Sequence, residues 1–210
     1  MLGNVIKKKE EKIAIGLMSG TSQDGIDTAL LTINGYGKST KIKLIGFDTY
    51  EYPEDLKKKL HEITTEEDIS IKDVARLNYA IGKNFAYSAK KICYESGKKL
   101  EDVDFIGSHG QTIIHLPEET DFCGEQIKAT MQIGEPSIIA KETGVLTVAD
   151  FRPCDIALGG EGAPLTAYTD YLIFSSKHKN RAVMNIGGIT NISILEKNCL
   201  IDDIKGYDKK

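Results

Sequence analysis

Seven small polar residues in succession, Ser19-Gly20-Thr21-Ser22-Gln23-Asp24-Gly25, separate two apolar runs near the start of the chain. An ordinary hairpin turn needs only about two to four such residues, with Gly and Asp supplying backbone freedom and local hydrogen bonds. The longer run presents a line of backbone N–H and hydroxyl donors with carboxylates beside them. Oriented amides and hydroxyls of this kind bind phosphate oxygens, and an acidic residue at the rim can hold the Mg²⁺ that accompanies a nucleotide. The stretch therefore predicts a strand–loop–strand unit, whose loop is either a plain turn or an anion site with a place for a cation.

The pattern that follows suits such a unit. β-type runs cover residues 13–19, 26–33 and 41–50, with short polar links that predict an antiparallel meander. Pro53 begins a helical stretch. A longer helix is expected from Ser70, where Ser70-Ile71-Lys72-Asp73 reads as a capping box, and Ile71, Val74, Leu77, Ile81, Phe85 and Ile92 keep helical spacing until Gly97. Strands are then expected at 103–107, 127–133 and 145–149, helices over 137–143 and from Pro164, and strands at 182–186 and 189–195. A mixed α/β sheet with helices packed against it is the natural solution.

Composition narrows the function classes. With 210 residues, 40% hydrophobic and 28% charged, the chain can bury a real core. Its net charge of -4 argues against a nucleic-acid surface, and Lys7-Lys8-Lys9 is answered at once by Glu10-Glu11. No signal-peptide core is present and no run approaches the roughly 18 apolar residues of a membrane helix, so a cytoplasmic protein is expected. Cys93, Cys123, Cys154 and Cys199 lie far apart without a C-x-x-C pair, which predicts reduced, mostly buried thiols. Gly37-Lys38-Ser39 resembles the end of a Walker A loop, but Thr32 stands where its first Gly belongs. No G-x-S-x-G elbow occurs, and Asn191-Ile192-Ser193 matches a glycosylation acceptor only inside an apparent strand.

Four other stretches carry chemistry. Ser108-His109-Gly110-Gln111-Thr112 follows a strand, placing an imidazole and an amide where α/β sheets put ligands, although a satisfied loop histidine has the same pattern. In Val148-Ala149-Asp150-Phe151-Arg152-Pro153, an Asp at the end of an apolar strand is expected to be partly desolvated and so more basic. The competing reading is a structural Asp150–Arg152 pair. Leu158-Gly159-Gly160-Glu161-Gly162-Ala163-Pro164 is a glycine loop running into a helix, open to close approach by a ligand. Met184 to Ser193 contains Gly187-Gly188 between two strand fragments and predicts a second phosphate cradle.

Two such hairpins resemble the paired phosphate loops of the sugar kinase, Hsp70 and actin superfamily. The combination of Gly16 to Asp27, Ser108 to Thr112, Gln132-Ile133-Gly134-Glu135, Asp150-Phe151-Arg152, Asp155 to Leu165 and Asn185 to Ile189 is similar to the anhydro-N-acetylmuramic acid kinase family. The likeness runs from about residue 13 to 208 in family order. It implies an α/β, ribonuclease H-like (actin-like ATPase) domain over 13–208, with tails at 1–12 and 209–210. It also implies a kinase that uses ATP, Mg²⁺ and water to open the 1,6-anhydro bridge of the sugar and phosphorylate its 6-oxygen during cell-wall recycling.

By that resemblance Asp150 is the base. The first hairpin, Gly20, Thr21, Ser22, Gln23, Asp24, Gly25, Ile26 and Asp27, holds the phosphates, with Asp24 reaching Mg²⁺ directly or through water. Gly187 and Gly188 form the second phosphate loop, and His109, Gln111, Gln132 and Arg152 bind the sugar and its lactyl carboxylate. Glu161 departs from the Gln expected there and adds negative charge. After Lys205-Gly206-Tyr207-Asp208 the family continues with Thr-Gly-Pro-Gly-Asn and a second domain, whereas this sequence stops at Lys210. The resemblance thus describes a domain whose adenine-binding partner domain is truncated, and predicts little turnover by the chain alone. The alternatives are an inactive sugar- or phosphate-binding remnant and one half of a split kinase completed by a separate C-terminal half. An apolar face left uncovered would favour a homodimer or such a partner.

Overall fold

The computed structural model describes residues 9–66, 68–186 and 190–209. Gly187 and Gly188, the expected second phosphate loop, lie outside the described residues. Contacts group the chain into two compact units. One holds the described residues up to Asn34 with Ile42–His115 and Met131–Asp150; the other holds Gly35–Lys41, Leu116–Thr130 and the described residues from Phe151 onward. The domain expected over 13–208 spans both.

The first unit is built on a mixed sheet. β1 (Glu11–Ser19), β2 (Ile26–Asn34), β3 (Lys41–Tyr50), β4 (Phe105–Phe122) and β5 (Glu125–Ile133) lie in the order β3-β2-β1-β4-β5, with the short β6 (Thr147–Val148) against β4. β1 runs antiparallel to β2 and parallel to β4, and β4 runs parallel to β6. A parallel neighbour needs a crossover, which α1 (Glu54–Thr65) and α2 (Ile71–Glu95) provide. Strands in succession followed by parallel strands across a helical crossover form the expected mixed sheet flanked by helices.

The helical spacing of α2 puts Leu77, Ile81, Phe85, Ala89 and Ile92 on one buried face against Ile15, Leu17, Leu30 and Ile106 of the sheet. Each fully buried large apolar side chain stabilises the fold by about 1.5–3 kcal/mol. Gly82 on α2 lets α3 (Pro136–Thr143) approach closely: a Cβ there would fall 2.9 Å from the Glu135 carbonyl oxygen. The expected capping box at Ser70 does not form. Ser70 makes no side-chain cap bond: the Asp73 amide donates to the Ser70 carbonyl at 2.9 Å instead, and the Asp73 carboxylate is taken by Lys59 and Arg76, each at 3.2 Å.

The second unit contains α4 (Phe151–Ala157), α5 (Thr166–Phe174) and an antiparallel sheet of β7 (Arg181–Ile186), β8 (Thr190–Leu195) and β9 (Lys205–Lys209) in that order. Its small core joins Tyr171, Leu195 and Cys199. Neither α4 nor β9 shows in the sequence pattern, since one is short and carries Pro153 and the other is polar. β9 exists through pairing, with Tyr207 opposite Ile192 and Gly206 opposite Ser193. Two further expectations change. β4 continues through Ser108–Thr112 rather than ending before it, and the strand expected over 145–149 shortens to Thr147–Val148. The thiols are free, with Cys93 and Cys199 buried and Cys123 and Cys154 exposed, so burial holds for only half of them. Among the described residues no helix is long and apolar enough to cross a membrane.

Candidate active site

The polar loop after β1 is closed from beneath by Gln111. Ser19 ends β1 opposite Gln111 of β4, and its hydroxyl lies 2.6 Å from both the Gly25 carbonyl and Gln111 Oε1, sharing its one proton between those acceptors. Gln111 Nε2 donates to the Gly20 carbonyl at 2.7 Å and to the Thr112 carbonyl at 3.1 Å, and the Tyr52 hydroxyl donates to Gln111 Oε1 at 3.3 Å. Gln111 is fully buried and every polar atom of its amide is engaged. The structure therefore makes it the anchor of the loop and does not bring it into a ligand cavity. Gln111→Leu is expected to take the acceptor from the Tyr52 hydroxyl and the shorter of its two donors from the Gly20 carbonyl, and to cost about 1–3 kcal/mol. Urea unfolding would measure the loss, and hydrogen exchange should accelerate selectively at residues 19–25.

Above that anchor, Thr21 and Ser22 are exposed, and Gln23 adopts φ +57° with its amide Nε2 donating to Thr64 Oγ1 of α1 at 2.8 Å. Thr21, Ser22 and Gln23 line a cavity of about 430 Å³ with His61, Thr64, Thr65 and Thr112. A wall of hydroxyls, an amide and an imidazole offers donors to phosphate oxygens without an opposing carboxylate. Sequence reasoning missed His61 and the two threonines, because they belong to α1 and meet the loop only in the fold. Ile26 is core, 1% exposed, so only its backbone is available to a ligand. Asp24 Oδ1 accepts from the Ser22 hydroxyl at 2.7 Å and Asp27 Oδ1 from the Thr49 hydroxyl at 2.6 Å, both aspartates being exposed. Among the described residues no cluster of three His, Cys, Asp or Glu side chains is placed to hold a metal. A Mg²⁺ ion would thus need nucleotide phosphates and water as its main ligands, with Asp24 offering its second oxygen.

A second cleft, of about 220 Å³, lies within the first unit and gathers His109, Gln132 and Asp150 with Asn78, Ser108, Gly134 and Glu135. The pairing of β1 with β4 shifts register here: Leu17 faces Ser108 and Met18 faces Gly110, so His109 is the extra residue of a bulge. Bulges re-aim side chains, which explains how the neighbours Ser108 and His109 both reach one cleft. The bulge requires Gly110, at φ +79°, where a Cβ would sit 2.9 Å from the Ile133 carbonyl oxygen. His109 Nδ1 lies 3.1 Å from the Gly110 carbonyl, and because a carbonyl only accepts, that nitrogen carries the proton.

Asp150 follows β6 in the left-handed region, at φ +62°. This conformation is uncommon for a residue with a Cβ, though Asp tolerates it better than most, and it costs on the order of 1 kcal/mol. The residue is exposed, so the desolvation expected from the strand end does not occur: the left-handed turn carries the side chain out to the cleft rim. Opposite chemistry surrounds Glu135. Its carboxylate caps α3, accepting from the Ser137 hydroxyl and, at 3.2 Å, the Ser137 amide, while Asn78 Nδ2 donates at 3.1 Å. The Ser137 hydroxyl, helped by the Ser137 amide and Asn78 and opposed by burial, holds its carboxyl below the usual glutamate range. Asn78 also accepts from the Gly134 amide at 2.7 Å. Pro136 directly after an acidic residue is the sequence signal of this cap.

Arg152 lies in the other unit, on α4, where its Nη1 donates to the Gly162 carbonyl at 2.6 Å. The Asp155 carboxylate accepts from the Gly162 amide at 2.8 Å, so the two side chains fold the glycine loop between them. Glu161 on that loop is exposed.

The sequence model described as anhydro-N-acetylmuramic acid kinase matches residues 12–209. A curated protein of that name from Caldanaerobacter subterraneus subsp. tengcongensis is 43% identical over 203 residues, covering 97% of this chain and 51% of the relative. Those from Clostridioides difficile and Bacillus thuringiensis subsp. konkukian are 45% and 40% identical, covering 93% and 92% of this chain and 50% of each relative. The chain spans about half the length of the curated relatives it matches. The polar first loop, the bulged Ser-His-Gly-Gln-Thr strand and the Asp150 turn all fall inside the matched region, and the chain belongs to the anhydro-N-acetylmuramic acid kinase family.

Proposed function

We propose that this chain supplies the sugar cleft and the first phosphate loop of an ATP-dependent kinase acting on 1,6-anhydro-N-acetylmuramic acid. The observation that carries the reading is the convergence of Asp150, His109 and Gln132 on one cleft, with the Asp150 backbone in a left-handed conformation at its rim. In the reaction, water attacks the anomeric carbon, the bond from that carbon to the 6-oxygen breaks, and the 6-oxygen takes up a phosphoryl group, giving N-acetylmuramic acid 6-phosphate. ATP, with Mg²⁺, supplies that phosphoryl group and leaves as ADP. The Asp150 carboxylate takes the proton of the attacking water as general base. His109 and Gln132 orient the ring.

The loop from Gly20 to Asp27 offers its amides and hydroxyls to the phosphates, held in place by Gln111, and Asp24 would hold the cation directly or through water. Gly187 and Gly188 are assigned the second phosphate loop by family position, and Arg152 the lactyl carboxylate. The need for ATP fits a cytoplasmic location.

Calorimetry with the anhydro-sugar and a coupled ADP-release assay test this. Saturable sugar binding with little ADP release by the chain alone is the expected result. Sugar binding without ADP release, even after addition of a separately made C-terminal half, would indicate a binding remnant. Rescue of release by that half would indicate a split kinase, and the absence of saturable sugar binding would overturn the reading.

A further inference from the structure

Ser108 is 1% exposed, and its hydroxyl has no hydrogen-bond partner among the described residues. A buried hydroxyl in that condition is uncommon, because leaving it unsatisfied costs free energy that a partner would recover. Two amide side chains near it are already engaged. Gln111, three positions along the same strand, has its whole amide engaged, and Asn78 across the cleft is spent on Gly134 and Glu135. Ser108 alone among these is held by the bulge at His109 toward the cleft that contains Asp150.

The charge of that cleft limits what can satisfy the hydroxyl. Among the described residues, two carboxylates line it, Asp150 and Glu135, and no Lys or Arg does. An anionic group brought there would meet repulsion from both, whereas a hydroxyl or amide would find a donor and an acceptor in Ser108 Oγ. We propose that Ser108 is a substrate-binding and specificity residue, whose hydroxyl pairs with an uncharged hydroxyl or amide group of the sugar while the lactyl carboxylate lies outside this cleft. The inference rests on the sugar-kinase reading and adds to it a residue and an orientation.

The test compares wild type with Ser108→Ala on two ligands, 1,6-anhydro-N-acetylmuramic acid and 1,6-anhydro-N-acetylglucosamine, the second lacking the lactyl group. Removing one partner of a buried neutral hydrogen bond should weaken binding about tenfold. The same factor is expected for both ligands. The melting temperature should stay unchanged or rise, since the substitution deletes an unsatisfied polar group rather than a bond. Equal affinity of variant and wild type would overturn the role of Ser108 while leaving the kinase reading intact. A loss confined to the lactyl-bearing sugar would overturn the uncharged-group assignment, and a weaker affinity accompanied by a lower melting temperature would make Ser108 merely structural. Failure of the wild type to bind either sugar would overturn the kinase reading and this inference with it.

Discussion

Asp150→Asn, made in a protein containing this chain that turns over the anhydro-sugar, should lower turnover by about 10²–10⁴-fold, the usual contribution of a general base. Sugar affinity should change little. The substitution is clean because Asn, like Asp, tolerates the left-handed backbone that Asp150 adopts at φ +62°. Ala at the same position would add backbone strain and confuse the result. Exposure of the side chain also means that stability should move by no more than about 0.5 kcal/mol. An Asp150 whose role was to neutralise Arg152 would behave otherwise, lowering melting temperature and affinity along with rate. Near-normal turnover in the Asn variant would remove Asp150 from the mechanism.

The largest expected effect on stability comes from Phe85→Ala. Phe85 is fully buried at the centre of the α2 face, and truncation of such a ring costs about 3–5 kcal/mol, a large share of the roughly 5–15 kcal/mol that holds a domain folded. The effect reaches the cleft. A Cβ built on Gly134 would lie 3.7 Å from Phe85 Cε2 and 3.3 Å from Ile81 Cγ2, so the ring packs beneath the backbone that leads into Glu135. Urea unfolding should show the loss, and sugar affinity at temperatures below the transition should fall as Gly134 and Glu135 lose support. A loss under about 1 kcal/mol would mean that the core repacks around the missing ring.

Much of this molecule is legible in one dimension. The strands at Glu11–Ser19, Ile26–Asn34 and Lys41–Tyr50 follow from apolar patterning broken by polar links, and α2 from apolar residues at helical spacing. Both signals are local, carried by side chains within a turn or two of each other. The family motifs are legible in the same way, because they are strings of adjacent residues. The polar loop after Ser19 was visible too, since seven small residues exceed what a turn needs.

Less local features were not. Ser70 and Asp73 have the spacing of a capping box, yet Lys59, from another helix, competes for the Asp73 carboxylate. β9 has no strand pattern and is set by the pairing of Lys205–Lys209 with β8. His61, Asn78 and Glu135 carry no motif that marks them as cavity residues.

What the sequence by itself determined is the succession of strands and helices apart from α4 and β9, the polar loop and the family. What only the tertiary structure decided is the role of each polar side chain. Gln111 and Ser108 stand three residues apart in one motif, but the register of β4 against β1 sends the first to clamp the loop and the bulge at His109 leaves the second unpaired in the cleft. Likewise, Asp150 ends an apolar strand and should have been desolvated, but a left-handed turn carries it into solvent at the rim. The physical reason is that a hydrogen bond or a desolvation cost depends on which groups arrive from distant parts of the chain, and that is settled by strand register and backbone conformation, neither of which a residue's immediate neighbours specify.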